Sequence, residues 1–139
     1  MAKFKVEYGG DEFSQNLEKL GRDGIKSIVM SGADAAVKEM QDLIEAYHHV
    51  VHRDMKNAVG PGKYHEDLNS AWVEVYPQGN DRRGVSNAKK AYVINYGRGK
   101  KQTKKTGDKF ITGNKNKMQS VVSAAMQAAS DRLIQEINK

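Results

Sequence analysis

From Ile25 to Val51 the chain carries an apolar stripe at three- and four-residue spacing: Ile25, Ile28, Val29, Ala33, Ala36, Val37, Met40, Leu43, Ile44, Tyr47, Val50 and Val51. That spacing sets one face of an α-helix against a core. Gly32 lies on the stripe without shifting its phase. The pattern predicts one helix over about residues 23–57, roughly 50 Å long at 1.5 Å per residue. The alternative is a break at Ser31-Gly32, with Ser31 or Asp34 capping a second helix. A small residue on the stripe also lets another helix or a strand approach closely. Gly60-Pro61-Gly62 is expected to end the element.

The shorter elements arrange themselves around this helix. Phe4, Val6 and Tyr8 alternate with Lys3, Lys5 and Glu7, a strand with one wet face that Gly9-Gly10 ends. Asp11 is placed to cap a short helix with Phe13, Leu17 and Leu20 on its stripe, and Gly21 and Gly24 bracket a break. Leu68 to Tyr76 reads as the central strand, with Ala71, Val73 and Val75 on one face and Trp72, Glu74 and Tyr76 on the other. After a turn at Pro77–Gly84, residues 89–96 show a period of two and predict a second strand, antiparallel to the first. Phe110-Ile111-Thr112 would add a short edge strand or anchor the chain's return to the body. The last helix is expected at residues 115–138, started by Asn114, with a stripe of Met118, Val121, Val122, Ala125, Ala128, Ala129, Leu133 and Ile137. The order β-α-α-β-β-α implies an α+β fold: a small antiparallel β-sheet packed by a long helix from the N-terminal half and a C-terminal helix, as one domain over residues 1–139.

Charge is unevenly distributed. Residues 82–139 hold 14 Lys and Arg against 3 Asp and Glu, a net +11; residues 1–81 hold 9 against 14, a net −5. The strongest concentration is at 98–109, where Arg98, Lys100, Lys101, Lys104, Lys105 and Lys109 face only Asp108, and no apolar residue occurs. A mobile basic loop is expected there, released from the preceding strand by Gly97-Arg98-Gly99. Three readings stand beside one another. The loop is a solvated segment that maintains solubility. It contacts phosphates of nucleic acid without reading sequence. Or it is an arm that orders against an acidic neighbour on assembly. No aromatic lies between Tyr96 and Phe110, so a base-stacking platform is missing. An acidic first part and a basic second part also suit head-to-tail contact between copies.

Other chemistries find little support. There is no cysteine, which excludes a disulfide framework, a thiol nucleophile and a thiolate metal site. This fits a reducing compartment, or a particle that does not rely on oxidation. No signal-peptide core opens the chain, and no apolar run is long enough to span a membrane. His48 and His52 stand four apart and could, with His49, Asp54 or His65, gather a metal; a polar helix edge is the simpler reading, with pH sensitivity at an interface as a weaker role. Glu66, Asp67 and Glu74 do not form a paired-carboxylate site, and no nucleophile elbow or triad spacing is present, so no enzyme and no cofactor are expected. Gly97-Arg98-Gly99 lacks the spacing of a phosphate-binding loop. Trp72, Tyr76, Tyr92 and Tyr96, on paired strands, would form an aromatic face covered by a helix or a neighbouring subunit; core packing is the simpler reading.

The order of features resembles the tail-completion, or head–tail joining, family of long-tailed bacteriophages and prophages. Its first long strand is opened by a Thr-Gly-x-Leu motif ending in Ser; here Leu68 and Ser70 match the end, and the Thr-Gly is absent. Its later Tyr-Ala-x-Phe/Val-Val/Ile-Glu-Phe/Tyr-Gly-Thr strand is similar to Ala91-Tyr92-Val93-Ile94-Asn95-Tyr96-Gly97, with Asn95 for Glu and Arg98 for Thr. Phe110 and Ile111 match the segment before its last helix, without that segment's prolines. The resemblance implies a structural virion protein. It would form a homo-oligomeric ring, commonly hexameric, in the neck between the head connector or adaptor proteins and the tail tube or terminator proteins. Genomic DNA would pass through its channel without sequence-specific contacts. The protein would reside in the host cytoplasm before assembly and have no membrane partner. The basic loop, from Arg98 to Lys109, would be the ordering arm.

Overall fold

The structure, a computed structural model, describes residues 3–47, 54–98, 105–106 and 109–138, with backbone alone at 98, 105 and 106. In chain order the elements are β1 (Phe4–Gly9), α1 (Gly10–Ala46), α2 (Asp54–Asn57), β2 (Val59–Pro61), β3 (His65–Glu66), β4 (Ser70–Pro77), α3 (Asn87–Tyr96), β5 (Gly97–Arg98), β6 (Lys105–Thr106) and α4 (Lys115–Ile137). A single turn of 3-10 helix, Thr112–Asn114, leads into α4.

The fold is α+β. A small four-stranded antiparallel sheet is packed by a long helix from the N-terminal half and by the C-terminal helix. β4 is central: β1 pairs along one side, placing Val6 opposite Val73, and β2 and β3 pair along the other. The alternation read in the sequence decides which face is dry. Ala71, Val73 and Val75 of β4 are fully buried, as is Val6 of β1. On the opposite face Trp72 is covered by the His65 ring, stacked at 5.3 Å, and by the Lys5 ammonium 5.0 Å from its centroid.

Two glycines shape α1. Gly21 has φ 73° and ψ −178°, so α1 is two helical pieces joined at a sharp turn that a residue with a β-carbon would strain. This is the break expected at Gly21. The first piece is held by Phe13, edge-on to Tyr8, and by Asn16, whose amide donates to the Tyr8 hydroxyl (2.6 Å) and to Ser130 Oγ (3.0 Å) on α4. The second piece carries the long stripe: Ile25, Ile28, Val29, Ala33, Ala36, Met40 and Ile44 are fully buried. At Gly32 a β-carbon would lie 2.7 Å from Met126 Cγ of α4 and 3.0 Å from Val6 Cγ1 of β1. The glycine on the stripe thus marks where helix and strand approach together, and Ser31-Gly32 is no break.

Three expectations are corrected. The helix expected over 23–57 starts where it was placed, after the turn at Gly21, but ends at Ala46, capped by Tyr47. The chain has turned back by α2: Gln41 Nε2 donates to the Lys56 carbonyl (3.2 Å) and Lys56 pairs with Glu45 (2.7 Å). On one straight helix residues 41 and 56 would be about 22 Å apart. His48, His49, Val50, Val51 and His52 lie outside the described residues. Gly60-Pro61-Gly62 does more than end a helix, because β2 is an edge strand on β4, a place where proline's missing N–H is tolerated. Residues 89–96 are not a strand but belong to α3. Phe110 and Ile111 form no edge strand; both side chains are fully buried and anchor the chain, the other outcome foreseen for them.

Gly32→Val should lower stability by about 2 kcal/mol or more, because the added branches meet a buried strand residue as well as the flexible Met126. Urea unfolding of the full chain measures this. A change within about 0.5 kcal/mol would show that the three elements can part at little cost.

Candidate assembly surface at the base of the basic loop

α3 forms because its buried positions recur at helical spacing. Ser86 Oγ accepts from the Lys89 N–H (3.2 Å) at its start, and Asn87, Ala88, Ala91 and Asn95 face inward. Gly97, at φ 87°, then turns the chain off the helix while its N–H donates to the Val93 carbonyl. On the other side of α3's start, Lys90 pairs with Asp81 at 2.8 Å. That bond, with the backbone N–H groups of Val85 and Arg83, holds the Asp81 carboxyl below the ordinary aspartate range. The adjoining Arg82 guanidinium grips Asp54 of α2 through Nε (2.9 Å) and Nη2 (2.7 Å), which raises its already high pKa. The helix is therefore tied down before it delivers the chain to the basic segment.

Asn95 is the clasp. Its side chain is fully buried. Its Oδ1 accepts from the backbone N–H groups of Ile111 (3.0 Å) and Thr112 (3.1 Å), and its Nδ2 reaches Thr112 Oγ1 (3.2 Å). Its carbonyl accepts from the Lys109 N–H (3.0 Å). Lys109 has φ 55°, an unusual conformation for a non-glycine residue, where the returning chain bends toward Phe110. Closer to the loop's interior, β5 and β6 pair Gly97 with Thr106 and Arg98 with Lys105. The two ends of the segment are thus joined twice, by a two-stranded ladder and by a buried asparagine. Phe110 adds packing against Tyr47, with ring centroids 6.3 Å apart. Asn114, expected to start α4, stands at its N-cap position, with its amide turned to the Tyr47 hydroxyl (3.1 Å) and the Phe110 carbonyl (2.9 Å).

Of the expected basic residues, Lys109 is exposed at this base. Lys100, Lys101 and Lys104, and the side chains of Arg98 and Lys105, lie outside the described residues. The four expected aromatics do not share a face. Trp72 and Tyr76 lie on the outer face of β4, Tyr76 against Gly62, where an added β-carbon would sit 3.0 Å from Tyr76 Cε1. Tyr92 and Tyr96 are one turn apart on α3, with centroids at 4.9 Å, and are 45% and 48% exposed. They form an aromatic step beside the loop's base. Tyr96 also borders a cleft of about 560 Å³ whose other walls include Lys3, Lys115 and Gln119.

The remaining candidates have structural partners. His65 stacks on Trp72, and Asp54 is held by Arg82. Glu66 is engaged by Arg22 and by the Tyr64 hydroxyl; burial, then Glu66 itself, pushes that phenol up to about 12. Asp67 accepts from the backbone N–H groups of Asn69 and Ser70, both at 2.8 Å, and Glu74 pairs with Lys3. No group of three or more potential metal ligands occurs among the described residues, nor any helix long and apolar enough to cross a membrane. Sequence reasoning missed Asn95. The available signal was one amide residue in the otherwise apolar and aromatic run from Ala91 to Tyr96, four residues after the buried Ala91. No family model, curated protein or solved structure matches the chain.

Asn95→Ala removes the acceptor of two backbone donors and should cost about 2–4 kcal/mol in urea unfolding. Hydrogen exchange at Ile111 and Thr112 should accelerate more than exchange across β4. Equal acceleration everywhere would mean the clasp has no local role. Lys90→Ala should move the Asp81 carboxyl midpoint upward toward the ordinary aspartate value, followed by carboxyl-carbon NMR titration; an unmoved midpoint would assign the depression to the backbone donors alone.

Proposed function

We propose that the chain is a non-enzymatic structural subunit of the neck of a long-tailed bacteriophage or prophage. It completes the tail for joining to the head and assembles as a ring around the DNA channel, with the basic segment 98–109 as the arm that docks on a neighbour or on the next ring. The observation that carries this reading is the doubly closed base of the segment: Asn95 with Ile111 and Thr112, and Gly97-Arg98 with Lys105-Thr106. A merely solubilising loop has no need of a buried clasp. An arm that must present charge from a fixed place does. The charge division, −5 over residues 1–81 and +11 over 82–139, supports head-to-tail contact between copies. The α+β architecture agrees with what the resemblance implies, whereas Ala91–Tyr96, which the resemblance places on a strand, is helical.

Binding of nucleic acid without sequence preference is the second reading, favoured by the net +5 of residues 98–109. One variant separates the two. Replacing Lys100, Lys101, Lys104 and Lys105 with alanine should leave the fold intact by circular dichroism. It should abolish ring formation, or incorporation into tails, seen by electron microscopy. Duplex DNA affinity measured across salt concentration should be weak and nearly flat for both proteins. A steep salt slope for the natural chain, lost in the variant, with unchanged assembly, would replace the neck reading with the nucleic-acid one.

A further inference from the structure

The open edge of the sheet has a sequence that matches itself. β1 is an edge strand: among the described residues it pairs with β4 alone, so alternate N–H and C=O groups along its other side have no strand partner. Two clefts lie against the strand, one of about 560 Å³ bordered by Lys3, Phe4 and Lys5 and one of about 250 Å³ bordered by Glu7, Tyr8 and Gly9. Gln119 of α4 borders both, so α4 forms a wall of each. That wall is polar where Gln119, Ser123 and Gln127 follow one another at four-residue spacing.

Edge strands are ordinarily protected by charge, proline or a bulge. β1 has charge, but in a particular order. Its outward residues are Lys5 and Glu7, and its inward residues are Phe4, Val6 and Tyr8. Set two copies of this strand antiparallel with Val6 opposite Val6 of the second copy. Lys5 then faces Glu7 of the other copy and Glu7 faces Lys5, on the wet side of both sheets. Phe4 faces Tyr8 on the dry side, twice. Both charged pairs become attractive and both aromatic pairs fall in cross-strand positions. A shift by two residues, bringing Lys5 opposite Lys5 or Glu7 opposite Glu7, places like charges together. A one-residue slip would put wet residues against dry ones. The strand thus accepts its own copy in one register and resists neighbouring ones. In the single copy Lys5 pairs with Glu7 at 3.2 Å and lies over the Trp72 ring, so pairing across the seam replaces contacts these groups already make.

We propose that β1 is a pairing site for a second copy of this chain, joining two four-stranded sheets about a two-fold axis through Val6. The contact is isologous and closes on itself, whereas a ring requires heterologous faces. It goes beyond the neck reading and does not depend on it.

The test uses full-length protein and two single variants, Lys5→Glu and Glu7→Lys. Sedimentation equilibrium should show a reversible monomer–dimer equilibrium for the natural chain. Each single variant places two like-charged pairs across the seam and should weaken pairing at least about tenfold. Mixed in equal amounts, the two variants should form a heterodimer, because both pairs across the seam are then attractive. The introduced carboxylate of the first variant faces the introduced ammonium of the second, and the unchanged Glu7 of the first faces the unchanged Lys5 of the second. Native mass spectrometry distinguishes this heterodimer by mass. Loss of the Lys5–Glu7 pair within each chain cannot produce that recovery. A monomeric natural chain, single variants that pair as well as the natural chain, or a mixture that stays monomeric would each overturn the proposal. Persistence of the dimer in the four-lysine variant separates this seam from any ring contact made by the basic segment.

Discussion

At Gly32 three elements converge on a place with no room for a β-carbon, and the spacing of the whole molecule follows from it. The strand β1 reaches α1 there through Val6, and α4 reaches it through Met126. Glycine in a helix interior is unfavourable by about 1 kcal/mol relative to alanine. Close contact with two buried neighbours offsets that cost, because dispersion falls away steeply with even a small gap. The same stretch of α1 continues with Ala33 and Ala36, so the approach stays close for a full turn. Farther along, Met40, Leu43 and Ile44 are larger, and Phe110, Ile111 and Met118 enter the same core. The residues that anchor the basic segment are therefore core residues, held through α1 by the packing that begins at Gly32.

Two buried amide side chains pin elements that apolar packing alone would leave free to slide. Asn16 ties the first piece of α1 to Tyr8 of β1 and Ser130 of α4. Asn95 ties the end of α3 to the chain entering α4. An apolar contact is tolerant of small shifts, but a buried amide loses its partners within an ångström and is left unsatisfied. These groups add little net stability compared with an apolar surface of equal size. What they supply is registry. One sets the angle across Gly21, and the other sets where the basic segment leaves and returns.

The elements legible in the sequence are those whose burial follows their hydrophobicity. The stripe from Ile25 to Ile44 and the alternation in β1 and β4 appear as read, and Gly21 and Gly32 act as a break and a close approach; the last helix lies where expected, but Met126 and Ser130 are buried in place of Ala128 and Ile137. Residues 89–96 defeat that logic. Their large side chains, Tyr92, Ile94 and Tyr96, fall on alternate positions, but Tyr92 and Tyr96 are about half exposed while the buried residues are Ala88, Ala91 and Asn95. Over so short a run the two periods overlap, and weighting by hydrophobicity selects the wrong face. The cap at Ser86 was the signal that could have arbitrated. The far end of the long stripe failed for a different reason. The fold-back that brings Lys56 to Gln41 and Glu45 depends on tertiary contacts that local spacing does not encode. The clasp was hidden because an asparagine in an apolar run reads as a solvent-facing residue until its partners, sixteen and seventeen residues later, are known.

Closing the base of the basic segment changes what a partner must do. Ordering a residue costs about 1–2 kcal/mol of backbone entropy, so a long free arm is expensive to dock. Here the ladder between Gly97-Arg98 and Lys105-Thr106, with the Asn95 bonds behind it, already fixes both ends. A partner meets a basic segment whose two ends are already held together. Tyr92 and Tyr96 stand beside the described ends of the segment, an aromatic step with the apolar area that charge alone lacks. Long-range attraction then governs encounter, while the aromatic pair and the fixed base govern fit. On the neck reading, this division lets subunits carrying an acidic part and a basic part find one another quickly yet lock only where the base and the step are both engaged. On that reading the lysines supply the attraction, and the uncharged Asn95 beneath them supplies the fixed place from which it acts.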